Sequence, residues 1–119
     1  MIQRHSFSRT ERLRRRAEFW NVRKKGMIHR DGLFVIRVCE NGLRRHRLGV
    51  LLSRSKVPLA SRRNRLKRLI REVFRVHKGI LKKGPYDIVV SLMKAAPDKC
   101  RYDEVEKRLM NLYRKAGIA

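Results

Sequence analysis

The sequence predicts one α/β domain spanning residues 1–119, with elements in the order helix, two strands, helix, strand, helix. Two short runs rich in branched residues, 33–39 and 86–92, are of strand length. Helical spacing of apolar side chains dominates 61–75 and the C-terminal stretch from Asp103. With 119 residues, 42% of them hydrophobic, the chain is long and apolar enough for one packed core.

The first helix is predicted over 14–25, with Leu13, Ala17 and Trp20 at i, i+4, i+7 as its apolar stripe and Gly26 after a basic last turn as its stop. Phe19 and Val22 lie beside that stripe, which leaves one aromatic to face something other than the core. A β-hairpin follows, with strands 33–39 and 47–53 joined at Asn41-Gly42, a strong turn dipeptide. Phe34, Ile36 and Val38 share one face of its first strand, while Val35 and Arg37 share the other. An arginine beside a valine on a sheet face suits a ligand better than bare solvent. Gly49 in the second strand marks a bulge or a close backbone approach.

Residues 53–60 read as a loop, 59–78 as a basic helix and 86–92 as a central strand. In the last helix Val105, Leu109, Leu112, Tyr113 and Ala116 keep helical spacing, and Asp103 with Glu106 has the spacing of a capping box. Strand, helix, strand in the middle of the chain predicts a βαβ unit, a connection that is ordinarily right-handed.

Charge narrows the function. There are 33 Lys and Arg against 10 Asp and Glu, a net charge of +23 spread along most of the chain. Such an excess opposes compactness and calls for a polyanionic partner, nucleic acid or membrane surface. No apolar run reaches the roughly 18 residues of a spanning helix. The first twenty residues lack the apolar segment of a secretory signal, so the cytoplasm is the default compartment and no membrane partner is expected. The two cysteines, Cys39 and Cys100, build no disulfide framework. Cys39 and His46 lack the spacing of a metal pair, so both thiols are expected free and at least half-buried.

The stretch SRRNRLKRLIREVFR, residues 61–75, holds seven cations in fifteen residues, six of them arginine. At 100 degrees per residue, Leu66, Leu69, Ile70, Val73 and Phe74 fall within an arc of about 140 degrees. Asn64, Lys67, Arg68, Arg71 and Arg75 cluster on the opposite side, with Arg63, Arg65 and Glu72 on the flanks. Glu72 is the sole acid in the stretch and relieves one or two of the seven charges through neighbours such as Arg68. Arginine supplies planar, bidentate donors for phosphate and stacks on bases. The helix offers Asn, Arg and Lys side chains of the kind that read DNA, yet a helix flanked by strands is not a helix-turn-helix; a sheet face mixing apolar and basic groups suits unpaired RNA, which tilts the reading toward RNA.

Residues 62–75, RRNRLKRLIREVFR, resemble the RNR-motif helix of the bacterial ribonuclease P protein component. The resemblance covers nearly the whole chain: RLRRRAEFWNVRKKG is similar to that family's first helix, RLGVLLS to its central strand, and YDIVVSL to the strand after the motif helix. It implies an α+β sandwich of order α-β-β-(β)-α-β-α with a mixed sheet of about four strands and an unusual left-handed βαβ crossover. It also implies a protein that partners ribonuclease P RNA and precursor tRNA, assisting endonucleolytic removal of the 5′ leader. The same resemblance implies that the RNA carries out the hydrolysis with Mg2+ bound mainly by the RNA subunit and the substrate, and that DNA is not a partner.

Carried onto this sequence, the RNA-subunit contacts are Arg62, Arg63, Asn64, Arg65, Lys67, Arg68, Arg71 and Arg75. The cleft for the single-stranded leader takes Phe19, Arg23, Val35, Arg37, Leu51 and Ser53. Arg23 and Arg37 stand where the family often has aromatics, and Pro58 lies near a customary glycine in a loop one residue longer than usual. The stretch SLMKAAP lacks an arginine often found there. A structural RNA-binding protein of the ribosomal type shares the charge but needs no leader-sized groove. A DNA-binding regulator would select a duplex sequence over single-stranded RNA. A stand-alone nuclease would need a catalytic constellation, and the sequence offers none.

Overall fold

The computed structural model describes Phe7, residues 9–82 and residues 84–119. Residues 1–6 of the basic N-terminal stretch lie outside that description. A 3-10 turn, Arg9–Glu11, leads into α1 (Arg16–Lys25). Strands β1 (Met27–Arg30), β2 (Phe34–Glu40) and β3 (Arg47–Val50) precede α2 (Ala60–His77). Strand β4 (Tyr86–Leu92) and α3 (Tyr102–Lys115) complete the chain.

The sheet order is β1-β2-β4-β3, with β1–β2 and β2–β4 antiparallel and β3–β4 parallel. The expected hairpin between 33–39 and 47–53 therefore does not form, because β4 lies between those two strands. The cause is the apolar character of β4. Ile88, Val89 and Val90 are all buried, so this strand needs neighbours on both edges and cover on both faces. Asn41 is used differently from a hairpin turn: its Nδ2 donates to Asp87 Oδ1 at 2.9 Å and its Oδ1 accepts the Leu43 N–H at 2.8 Å. Residues 41–46 thus cross the end of β4 and set β3 down on its far side. The hairpin that does form joins β1 to β2. Gly32 sits at φ 97°, and Asp31 Oδ1 accepts the N–H groups of Leu33 and Phe34 at 2.9 and 2.7 Å.

Alternation along the strands gives the sheet two distinct faces. Phe34, Ile36, Val38, Leu48, Val50, Ile88, Val90 and Leu92 form the main core with α2 and α3. From α2 that core takes Leu66, Ile70, Val73 and Phe74, with Leu69 half-buried; from α3 it takes Val105, Leu109, Met110, Leu112 and Tyr113. On the other face Val89 packs with Leu13, Val22 and Phe19 beneath α1.

The stripe predicted for the first helix is out of phase with the packing. Helix α1 starts at Arg16, so Leu13 is not helical; its N–H donates to Leu48 O at 3.0 Å beside the edge strand β3. Val22 is fully buried in its place, Phe19 is half-buried, and Ala17 and Trp20 are exposed. The capping box at Asp103 and Glu106 also fails to form, since α3 begins at Tyr102 and Arg101 is its N-cap. Glu106 reaches across to α2, with Oε2 2.7 Å from His77 Nε2.

Cys39 and Cys100 are free and half-buried. His46 stacks on Tyr86 and accepts its backbone N–H on Nδ1 at 3.0 Å. Among the described residues no helix is long and apolar enough to cross a membrane.

Candidate nucleic-acid interface

Helix α1 covers only part of its sheet face, and the uncovered part is a cavity of about 1070 Å3. Val35 and Arg37 of β2 and Val89 and Ser91 of β4 belong to its floor, and cross-strand register explains the grouping: Val35 pairs with Ser91, and Arg37 with Val89. Helix α1 contributes Arg16, Phe19, Trp20 and Arg23, while Leu51, Ser53 and Lys56 follow β3 and Met93 follows β4. Among the described residues five cations, Arg16, Arg23, Arg30, Arg37 and Lys56, line this space with no carboxylate. Lys56 Nζ donates to Leu92 O at 2.7 Å. Arg37 Nε is buried without a hydrogen-bond partner among the described residues. A largely apolar lining set with cations fits a ligand with flat apolar groups on an anionic backbone.

Phe19 holds its place because β3 has no side chain beneath it. A Cβ at Gly49 would lie 2.8 Å from Phe19 Cζ and 3.1 Å from Leu13 Cβ, so the ring rests directly on the backbone of β3. This is the close approach that a glycine within a strand signals.

The outer face of α2 lies beyond the other side of the sheet and carries a smaller groove of about 440 Å3. Asn64, Lys67, Arg68, Arg71 and Arg75 line it, joined by Phe7 and Arg12 from the N-terminal segment. Arg12 stacks over the Phe7 ring at 4.8 Å, and Phe7 meets Phe74 edge-on. Burial, and after it the Arg12 guanidinium, push the Arg71 pKa down; Glu72, the one acid lining the groove among the described residues, is not its partner. Glu72 pairs with Arg75, not with neighbours such as Arg68. Among the described residues Lys67, Arg68 and Arg71 have no acidic partner.

The family model described as Ribonuclease P matches residues 7–117. Over 113 residues the chain is 40% identical to the ribonuclease P protein component of Thermotoga petrophila, covering 92% of this chain and 95% of that protein. The chain belongs to the ribonuclease P protein family. Among solved structures, the RNase P protein of Staphylococcus aureus is similar with a TM-score of 0.81 and 31% identity, covering 91% of this chain and 96% of that one. The RNase P protein of Thermotoga maritima is similar with a TM-score of 0.77 and 39% identity, covering 87% and 96%.

In this ribonuclease P protein the six residues expected in the cleft, Phe19, Arg23, Val35, Arg37, Leu51 and Ser53, all line one cavity. The eight expected on the RNA-facing helix divide. Asn64, Lys67, Arg68, Arg71 and Arg75 share the groove, whereas three arginines turn toward the protein itself. Arg62 pairs with Asp98 at 2.8 Å, Arg63 donates to Val57 O and Pro58 O at 3.0 and 2.9 Å, and Arg65 reaches Cys100 O at 3.4 Å. These contacts tie the start of α2 to the loop before it and to the loop between β4 and α3. Sequence reasoning missed Arg16 and Trp20 in the cleft, although they stand at i, i+4 and Arg23 at i+7, one face of a helix. It also missed Arg30, because the short and largely exposed β1 has no apolar alternation to mark it.

Gly49→Ala should push the Phe19 ring off β3 and into the cavity. The expected cost is about 1–3 kcal/mol of stability, the usual range for overpacking, together with weaker binding in the cleft. Equal stability and unchanged binding, measured by denaturant melts and filter binding, would show that the ring has another resting place.

Proposed function

We propose that this ribonuclease P protein uses its two basic surfaces on two RNAs. The α2 groove docks on ribonuclease P RNA, and the α1–sheet cleft holds the single-stranded 5′ leader of precursor tRNA. Hydrolysis belongs to the RNA subunit, with Mg2+ bound mainly by that RNA and the substrate. Among the described residues no three His, Cys, Asp or Glu side chains come together. The protein's contribution is to lower phosphate repulsion where leader and catalytic RNA meet, which tightens substrate binding and raises local Mg2+ occupancy. We place this work in the cytoplasm, with the RNAs it serves.

The observation that carries this reading is the cleft, whose largely apolar lining carries five cations and, among the described residues, no acid. A ribosomal-type structural protein would share the charge but have no use for such a groove. Reconstitution with ribonuclease P RNA at low Mg2+ tests the reading, and stimulation of 5′ maturation is expected. Absence of stimulation would favour the ribosomal type, and cleavage by the protein alone would return the chemistry to the protein. Phe19→Ala should weaken binding of leader-bearing precursor more than that of mature tRNA, by about 1–3 kcal/mol if a base stacks on the ring. Equal loss for both RNAs would remove Phe19 from leader recognition.

A further inference from the structure

Eight large apolar side chains stand exposed among the described residues, and three of them, Trp20, Leu51 and Met93, line the same cavity. Scattered apolar exposure needs no explanation, but its concentration in one concave site marks a binding surface. Trp20 is 61% exposed on α1, and Arg16 and Arg23 flank it at i−4 and i+3 on the same helix face. Leu51 and Met93 follow the parallel strands β3 and β4 at their common end, and strand alternation turns both toward the cleft with Ser91. The site therefore offers a flat ring between two phosphate-binding groups, with apolar side chains from the sheet in the same cavity.

We infer that Trp20 is a base-stacking residue of the cleft, taking one unpaired nucleobase of the RNA while Arg16 and Arg23 grip the phosphates on either side of it. The occupant is single-stranded RNA, because five cations without a carboxylate select a polyanion and an exposed indole selects one with free bases. This rests on the leader reading of the cleft and adds to it the residue that senses a base instead of a charge.

The chain has one tryptophan, so its fluorescence reports the site directly. The full chain is titrated with a short single-stranded RNA and with an abasic ribose-phosphate oligomer of equal length, each carrying a label for anisotropy. The RNA should quench Trp20 emission. Trp20→Ala should weaken RNA binding about 5- to 150-fold, with little change for the abasic oligomer, and Trp20→Phe should keep most of the affinity. Melting temperatures should match, since the ring is exposed. Equal losses for the two oligomers, or none for either, would overturn the stacking role while leaving the cleft reading intact. If neither oligomer binds the wild-type chain, the cleft reading falls and the inference falls with it.

Discussion

Arg47→Met should destabilise the fold by about 3–5 kcal/mol, the usual cost of leaving one member of a buried ion pair alone. Arg47 Nε and Nη2 hold Asp87 Oδ1 and Oδ2 at 2.8 and 2.7 Å, and its Nη1 pairs with Glu18 of α1. Asp87 is 2% exposed, with Asn41 as its other side-chain donor. One guanidinium thus fastens β3, β4 and α1 together. The pair with Asp87 also raises the Arg47 pKa, so the arginine stays charged at any pH the fold experiences. Thermal melts should record a fall in Tm of roughly 10–25 °C. Adding Asp87→Leu to Arg47→Met should recover a large part of the loss, because the uncompensated charge goes with it. A double variant no more stable than the single one would mean that shape, not charge, is what Arg47 supplies.

The second large effect is expected at the α2 groove. Replacing both Arg68 and Arg71 by alanine should weaken assembly with ribonuclease P RNA and make its salt dependence shallower by about 1.4–1.8 in log–log slope, 0.7–0.9 for each phosphate no longer neutralised. Stability should change by no more than about 0.5 kcal/mol, since both point away from the apolar stripe and removing Arg71 relieves its repulsion with Arg12. Arg75→Ala provides the contrast: Glu72 already neutralises Arg75, so the slope should move less. A collapse in melting temperature for the double variant would show that these side chains hold α2 in place. An unchanged salt slope would take them out of the RNA contact.

Much of this architecture was legible in the sequence, because burial leaves a periodic trace. Phe34, Ile36 and Val38 alternate with Val35 and Arg37, and the two sets do occupy opposite sheet faces. The two-sided character of α2 was equally plain. Failures came where the pattern depends on something that periodicity does not contain. The stripe through Leu13, Ala17 and Trp20 assumed a helix already under way at Leu13; with the start at Arg16, Val22 becomes the core contact and Trp20 passes to the cleft. Asn41-Gly42 is a sound turn signal, but pairing is decided by which strand most needs two neighbours, and that strand is β4. The cleft residues could be named because the chain resembles a family, not because spacing revealed a cavity. Arg62, Arg63 and Arg65 show the limit of a helical wheel: long side chains bend back to carbonyls and carboxylates outside the helix, some 5 or 6 residues away and others 35 or 36.

The seven residues of β4 floor the cleft with Val89 and Ser91 and seat α2 and α3 with Ile88, Val90 and Leu92. Both basic surfaces are therefore referenced to a single strand, as the two jaws of a gauge are referenced to one bar. Their separation is set by one sheet and one helix layer packed directly against each other. A substitution in β4 that shifts the backbone should be felt on both sides at once, which makes this short apolar strand the part of the molecule least free to change.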